Sequence, residues 1–333
     1  MTKFAYFCGN EQWQPEELVE HAVLAENAGF DMVLISEHFH PWVDDFGASG
    51  FAFSTLGAIA AMTNRVRLGT AVTTPLFRFH PAVVAQAAAT IDRLSAGRFV
   101  LGVGTGENIN EGPLGHEFPG YSERASRMSE ALEIMRRLLD GEKLEFSGRH
   151  YSTDKAKLYS PPVGEVPIWL AASGPKSAKM AGRLTEGVIT SVRDPEKTRE
   201  NVVDPVRESA SAAGRPSPTV VATRWVIYAE NDSEAWDVLK PWRGLRAPGR
   251  LEAIDPQTLR ERADAMDKNK ILSQYSVAPD LDSVVTAYEP LVTALDADIV
   301  TIQMAASDQR RLIADLGEYV LPRLRSLNSR NRI

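Results

Sequence analysis

Eight short apolar runs alternate with stretches of helical spacing along this chain of 333 residues, and that alternation leaves few folds open to it. The runs lie at 4–8, 31–35, 66–72, 99–104, 166–172, 187–191, 219–229 and 298–304. Between the first two, the stretch 16–28 sets apolar residues 18, 19, 22, 23 and 25 mostly on one helical face, and Gly29 supplies a stop. Pro81 opens a helix over 81–94, where its missing N–H is no loss. Further helices are expected near 121–140, from Pro175, and over 233–239, 257–266 and 281–295. Strand alternating with helix implies a parallel sheet. Eight such units imply an α/β fold of the (β/α)8 TIM-barrel type, with insertions after strands 4 and 7, as a single domain over 1–333. A doubly wound open sheet is the structural rival. In a barrel both insertions lie on the active-site face, where long loops form a substrate lid.

The formal net charge of −7 argues against nucleic acid or an anionic membrane as a partner. No run approaches the roughly 18–20 apolar residues of a membrane span, and the apolar start is too short for a signal peptide. Cys8 is the sole cysteine, which excludes an intramolecular disulfide and a zinc-thiolate site. These features describe a cytoplasmic enzyme.

Parallel α/β folds collect their chemistry at the carboxyl ends of their strands. Four runs here end in polar clusters: 36–42, 70–75, 104–110 and 171–175. In the first, His38 suits proton transfer near neutral pH; the plainer reading is an imidazole bonded within its own loop. Glu37 could anchor a ligand hydroxyl or orient that imidazole, or be a solvated acid. Trp42 offers a flat ring and one N–H donor, or simply core packing. His38 and His40 lie close together, but no ligand spacing of the HExxH kind appears, so no metal is expected. In the third cluster, Gly104-Thr105-Gly106 marks a backbone that something approaches closely. It fits a dinucleotide fingerprint poorly, because Glu107 occupies the place of the third glycine. Glu107 reads as a carboxylate in a cleft, made a proton donor by burial, or as an acid favoured at a helix start. Asn110 could bind the same ligand. In the fourth cluster, Ser173, Gly174, Lys176 and Ser177 open a helix whose free N–H groups suit a phosphate; Gly-Pro is also ordinary loop chemistry.

Taken together, Ser36–Trp42, 68–86, Gly102-Val103-Gly104-Thr105-Gly106-Glu107 with Asn110 and Glu111, 171–175 and Asp308-Gln309-Arg310-Arg311 resemble the bacterial luciferase-like superfamily. The likeness covers almost the whole chain and is closest to the coenzyme F420-dependent dehydrogenase branch, whose type enzymes oxidise glucose 6-phosphate. That resemblance implies coenzyme F420 as cofactor and hydride transfer from a hydroxyl-bearing carbon to C5 of the deazaflavin. It implies His38 as general base, Glu107 as proton donor to N1 of the reduced ring, and Trp42 beside the reacting centre. Glu37 stands where the glucose-phosphate enzymes have Asp. Ala71-Val72 matches a non-prolyl cis peptide against the deazaflavin face. Thr74, Thr105, Gly106, Asn110, Ser173, Gly174, Lys176 and Ser177 match positions that hold the ring, its ribityl chain and its phosphate. The family commonly pairs barrels through outer helices, which implies a homodimer.

Ser273-Gln274-Tyr275 lacks the basic residue with which the glucose-phosphate enzymes hold their phosphate at the matching stretch. Arg193, Lys197, Arg260 and Arg262 are candidates to compensate. A neutral substrate, a glucose-like sugar oxidised at C1 or a secondary alcohol, is therefore favoured over a sugar phosphate. An FMN-dependent monooxygenase and a non-catalytic barrel are the remaining alternatives.

Overall fold

The computed structural model describes residues 1–330; residues 331–333, which the expected domain includes, lie outside the described residues. Eleven strands follow in order: β1 (Lys3–Cys8), β2 (Met32–Ile35), β3 (Arg67–Thr70), β4 (Phe99–Val103), β5 (Leu144–Ser147), β6 (Ser152–Ala156), β7 (Ile168–Ala171), β8 (Gly187–Ser191), β9 (Thr219–Tyr228), β10 (Ser276–Ala278) and β11 (Ile299–Ala305). Eight of them close a parallel ring in the order β1-β2-β3-β4-β7-β8-β9-β11 and back to β1. Pairs such as Ala5↔Met32 and Tyr6↔Ile302 join the ring at β1, and Val188↔Val220 seals it between β8 and β9. The fold is thus a closed (β/α)8 barrel, as the alternation of runs implies.

Strand periodicity explains the two-layered core. Phe4, Tyr6 and Cys8 of β1 pack outward against helices such as Pro15–Asn27, while Ala5 and Phe7 face inward with Met32, Leu34, Val100 and Trp169. Both faces of each strand are covered, so β2 and β4 are buried throughout. Helix starts follow local chemistry. Pro81 begins the helix Pro81–Leu94, and the His80 ring accepts a hydrogen bond from the Ala82 N–H at 3.1 Å.

The elements that go beyond the sequence reading include a helix, a hairpin and a short strand. The helix Ala52–Met62 is apolar nearly all round, so it has no amphipathic stripe to read. The hairpin β5–β6 lies on the surface after the helix Tyr121–Leu139. Finally, β10 pairs with the far end of β9, Ser276↔Val226, beyond the last β8 partner at Ser191↔Thr223.

The closest backbone approach near the rim joins β3 to β4. Thr70 Oγ1 donates to the Gly102 carbonyl at 2.7 Å and accepts from the Gly102 N–H at 3.0 Å. A Cβ on Gly102 would lie 1.9 Å from the Thr70 carbonyl oxygen. Gly102→Ala is therefore expected to destabilise the fold by about 2 kcal/mol or more, measured by urea unfolding. Unchanged stability would show that the two strands part freely at this point.

Candidate active site

Every barrel strand runs in the same direction, so the loops after β1, β2, β3, β4 and β7 rise from one rim. The loop after β2 carries His38. Its Nδ1 lies 3.0 Å from the His40 carbonyl oxygen, its Nε2 lies 3.2 Å from Glu11 Oε1, and its ring meets Trp42 edge-on at 5.0 Å. A carbonyl only accepts, so Nδ1 carries a hydrogen. Glu11 Oε1 thus stands at Nε2, the nitrogen left to take up a proton. Glu11 is itself 3 % exposed, and its other oxygen accepts from Ser36 Oγ. Asn110 Oδ1 accepts from the Phe39 and His40 N–H groups at 2.9 and 3.3 Å, tying this loop to the end of β4.

Trp42 is buried, and its Nε1 has no hydrogen-bond partner among the described residues. The Arg250 guanidinium lies 5.4 Å from its ring centre and binds Glu107 at 2.5 Å. His38, Trp42, Arg250 and Glu107 thus form one continuous line of contacts. Glu107 itself requires a correction. The sequence reading expected burial to make it a proton donor, but its side chain is 34 % exposed and ion-paired, because the long segment before β10 delivers Arg250 to it. It begins the short helix Asn108–Glu111 without capping it through its side chain.

After β3, the peptide Ala71-Val72 is cis. Thr73 returns to the sheet edge: its N–H donates to the Gly102 carbonyl at 3.0 Å, and its own carbonyl accepts from the Gly104 N–H at 2.9 Å. A Cβ on Gly104 would lie 2.6 Å from Val72 Cγ2, so this position admits only glycine without movement. Gly106 has φ +82°, and a Cβ there would meet Thr74 and Phe118. Thr105 lies between these two glycines, half-buried. Across the rim, Gly174 begins the helix Pro175–Leu184; no side chain caps it, and the space where a Gly174 Cβ would stand is open. Ser173 and Lys176 are exposed there, while Ser177 Oγ donates to the Gly174 carbonyl at 3.0 Å.

Below this bed sits a charged group of which sequence reading singled out Glu37 but not its partner Arg78. Glu37 Oε2 accepts from Thr73 Oγ1 at 2.8 Å and from Arg78 Nη2 at 2.6 Å. Arg78 Nε also faces Glu111 Oε1 at 3.7 Å, with the side chains of Arg78 and Glu111 5 % and 0 % exposed. Burial pushes the Glu111 carboxyl up to about 7; Arg78 and His38 oppose the rise and Glu37 adds to it.

The wall that continues from Trp42 is aromatic and basic. Trp225 stands edge-on to Trp242 at 4.1 Å and to Tyr275 at 5.4 Å, and Arg246 lies 4.9 Å over the Tyr275 ring. Burial pushes the Tyr275 hydroxyl up to about 12, against the pull of Arg246, Arg193 and Arg250. Burial lowers Arg246, and the like charges of Arg193 and Arg250 lower it further. Of the four candidate compensating residues, Arg193 alone joins this cluster. Lys197 pairs with Asp194, Arg260 with Asp44, and Arg262 donates to the Pro248 and Gly249 carbonyls, because all three lie on surface helices.

Comparison with known proteins accords with this geometry. The chain belongs to the luciferase-like monooxygenase family, whose model matches residues 2–278. It is 38 % identical over 333 residues to an F420-dependent glucose-6-phosphate dehydrogenase of Nakamurella multipartita, covering 98 % of this chain and 97 % of that one. To the Nocardia farcinica protein of the same name it is 38 % identical over 326 residues, covering 95 % and 96 %. A solved structure of an F420-dependent secondary alcohol dehydrogenase, in complex with an F420-acetone adduct, is similar at a TM-score of 0.90. That likeness has 30 % identity and covers 97 % of this chain and 99 % of that one.

The Glu111 carboxyl gives a pH test of the buried charge. Because folding raises its value, the stability it contributes is fully present below about 4.5 and lost as pH rises through about 7. Relative to Glu111→Gln, the wild type is expected to lose on the order of 3 kcal/mol across that window, read by urea unfolding at several pH values. Parallel profiles for the two proteins would contradict the burial argument.

Proposed function

We propose that this chain is a coenzyme F420-dependent dehydrogenase, acting as a single barrel domain on the hydroxyl of a glucose-like sugar or a secondary alcohol. The observation that carries the reading is a strand-end imidazole, fixed between Glu11, the His40 carbonyl and Trp42, beside a glycine-floored bed. The residues of the bed fit the cofactor. Val72 and Gly104 offer a flat floor, and Thr74, Thr105 and Gly106 line its continuation. The helix opening at Gly174 keeps its N–H groups free of side-chain caps, which suits a phosphate, with Ser173, Lys176 and Ser177 alongside. When bound, a deazaflavin accepts a hydride at C5.

The chain's own residues then handle the protons. His38 takes the hydroxyl proton at Nε2, and Glu11 steadies the imidazolium at 3.2 Å. The unpartnered Trp42 Nε1 offers a donor beside the reacting centre. Glu107, oriented by Arg250, would be the carboxylate beside ring N1, through which a proton from solvent would reach that atom. Glu37 and Asn110 hold the loops beneath.

A second reading, a sugar phosphate as substrate, is favoured by the arginines. Neither Arg193 nor Arg246 has a carboxylate within ion-pair distance among the described residues, and their charges, with that of Arg250, converge on Tyr275. A phosphate dianion meets that need through charge-assisted hydrogen bonds. No helix among the described residues is long and apolar enough to cross a membrane. We place the enzyme in the cytoplasm, as a homodimer joined through the outer apolar face that carries Phe51, Phe79 and Val83.

Loss of deazaflavin absorbance at 420 nm, assayed with free sugars, secondary alcohols and sugar phosphates, tests the reading directly. His38→Ala and Glu107→Gln are each expected to lower kcat on the order of 10²-fold. Near-normal turnover in both would reject the mechanism, and turnover with FMN alone would favour a monooxygenase. Arg246→Met is expected to raise KM roughly 10-fold or more for a phosphorylated substrate and to leave a neutral alcohol unaffected. An equal effect on both substrates would reject the phosphate reading.

A further inference from the structure

One guanidinium beneath the cofactor bed faces two buried carboxylates, and the proton chemistry proposed above uses neither Arg78 nor Glu111. The three side chains come from loops after three successive strands: Glu37 after β2, Arg78 after β3 and Glu111 after β4. Arg78 Nη2 donates to Glu37 Oε2 at 2.6 Å, and the same oxygen accepts from Thr73 Oγ1 at 2.8 Å. Glu111 approaches from behind, its Oε1 3.7 Å from Arg78 Nε and its Oε2 accepting from the Arg78 backbone N–H at 3.3 Å. Arg78 Nε and Glu111 Oε1 make no hydrogen bond, so attraction across that gap is ionic.

We propose that Arg78 is a positioning residue for the cofactor: anchored by Glu111, it holds Glu37 and, through the shared oxygen, Thr73 in place beneath the segment on which the deazaflavin would rest. The proposal rests on the F420 reading given above. Its physical basis is the short path from this oxygen to the bed. Thr73 is bonded through its backbone to Gly102 and Gly104, and it follows directly on Val72, whose Cγ2 fills the space over Gly104. A displaced Glu37 carboxylate therefore releases the Thr73 hydroxyl and frees the segment that forms the floor. Lysine would keep the charge, but it lacks the planar fork that reaches Glu37 from one nitrogen while another faces Glu111.

A merely structural role makes a different prediction. If Arg78 only neutralises buried charge, removing one guanidinium together with one carboxylate satisfies it. Arg78→Met/Glu111→Gln and Arg78→Lys are therefore compared with the wild type in two measurements. The first is thermal unfolding without cofactor. The second is titration with coenzyme F420 followed by quenching of its fluorescence. The double variant is expected to unfold close to the wild-type temperature yet bind F420 roughly 10-fold or more weakly. Arg78→Lys is expected to weaken binding similarly while remaining folded, and it carries the test if the double variant does not fold. Wild-type affinity in either folded variant would overturn the positioning role while leaving the F420 reading intact. A wild-type protein that fails to bind F420 would overturn both.

Discussion

Closure of the parallel ring is the constraint on which everything else depends. Because Val188↔Val220 seals β8 to β9 and Tyr6↔Ile302 seals β11 to β1, no strand end points away from the shared rim. Residues far apart in the chain become neighbours without any loop reaching far. Glu11 meets His38 from the adjacent strand, and Arg250 meets Glu107 from the long segment after β9. An open sheet would also gather strand ends, but along an edge, with the first and last strands far apart. Here the first strand and the last are hydrogen-bonded, so the groups after β1 belong to the same cavity as those after β9.

The same closure explains how much could be read before any coordinates. The eight runs, the helix at Pro81 and the clusters at 36–42 and 104–110 announce themselves through local periodicity and turn chemistry. Glu11 was missed, although the same rule would have found it, since Gly9-Asn10-Glu11 ends the first run as Ser36-Glu37-His38 ends the second. The pairing of Arg78 with Glu111 was not legible, because both lie in stretches that carry the family likeness yet nothing local says that they face each other. Their meaning comes from facing each other across 3.7 Å in space. Arg246 and Arg250 lie in a segment without strand or fingerprint, and only their approach to Tyr275 and Trp42 marks them out. The expected burial of Glu107 failed for a related reason: a strand end predicts a cleft, but not which distant side chain will fill it.

Net charge is a poor guide to what this rim attracts. The chain carries −7 overall, yet Arg193, Arg246 and Arg250 converge on one wall. Elsewhere on the rim acids outnumber bases, with Glu37 and Glu111 sharing a single guanidinium and Glu11 facing His38.

The pairing of β10 with the tip of β9 has an evolutionary consequence. Ser276↔Val226 lets the inserted segment extend the barrel wall past the end of β8, setting Tyr275 beside Trp225. Apart from Arg193, that wall is supplied by residues 225–278, whereas the bed of Val72, Gly104 and Gly174 is supplied by the loops after β3, β4 and β7. The two halves of the cavity are therefore separately heritable. Substitutions in one stretch of chain can exchange the molecule that is oxidised while the apparatus that receives the hydride stays as it is.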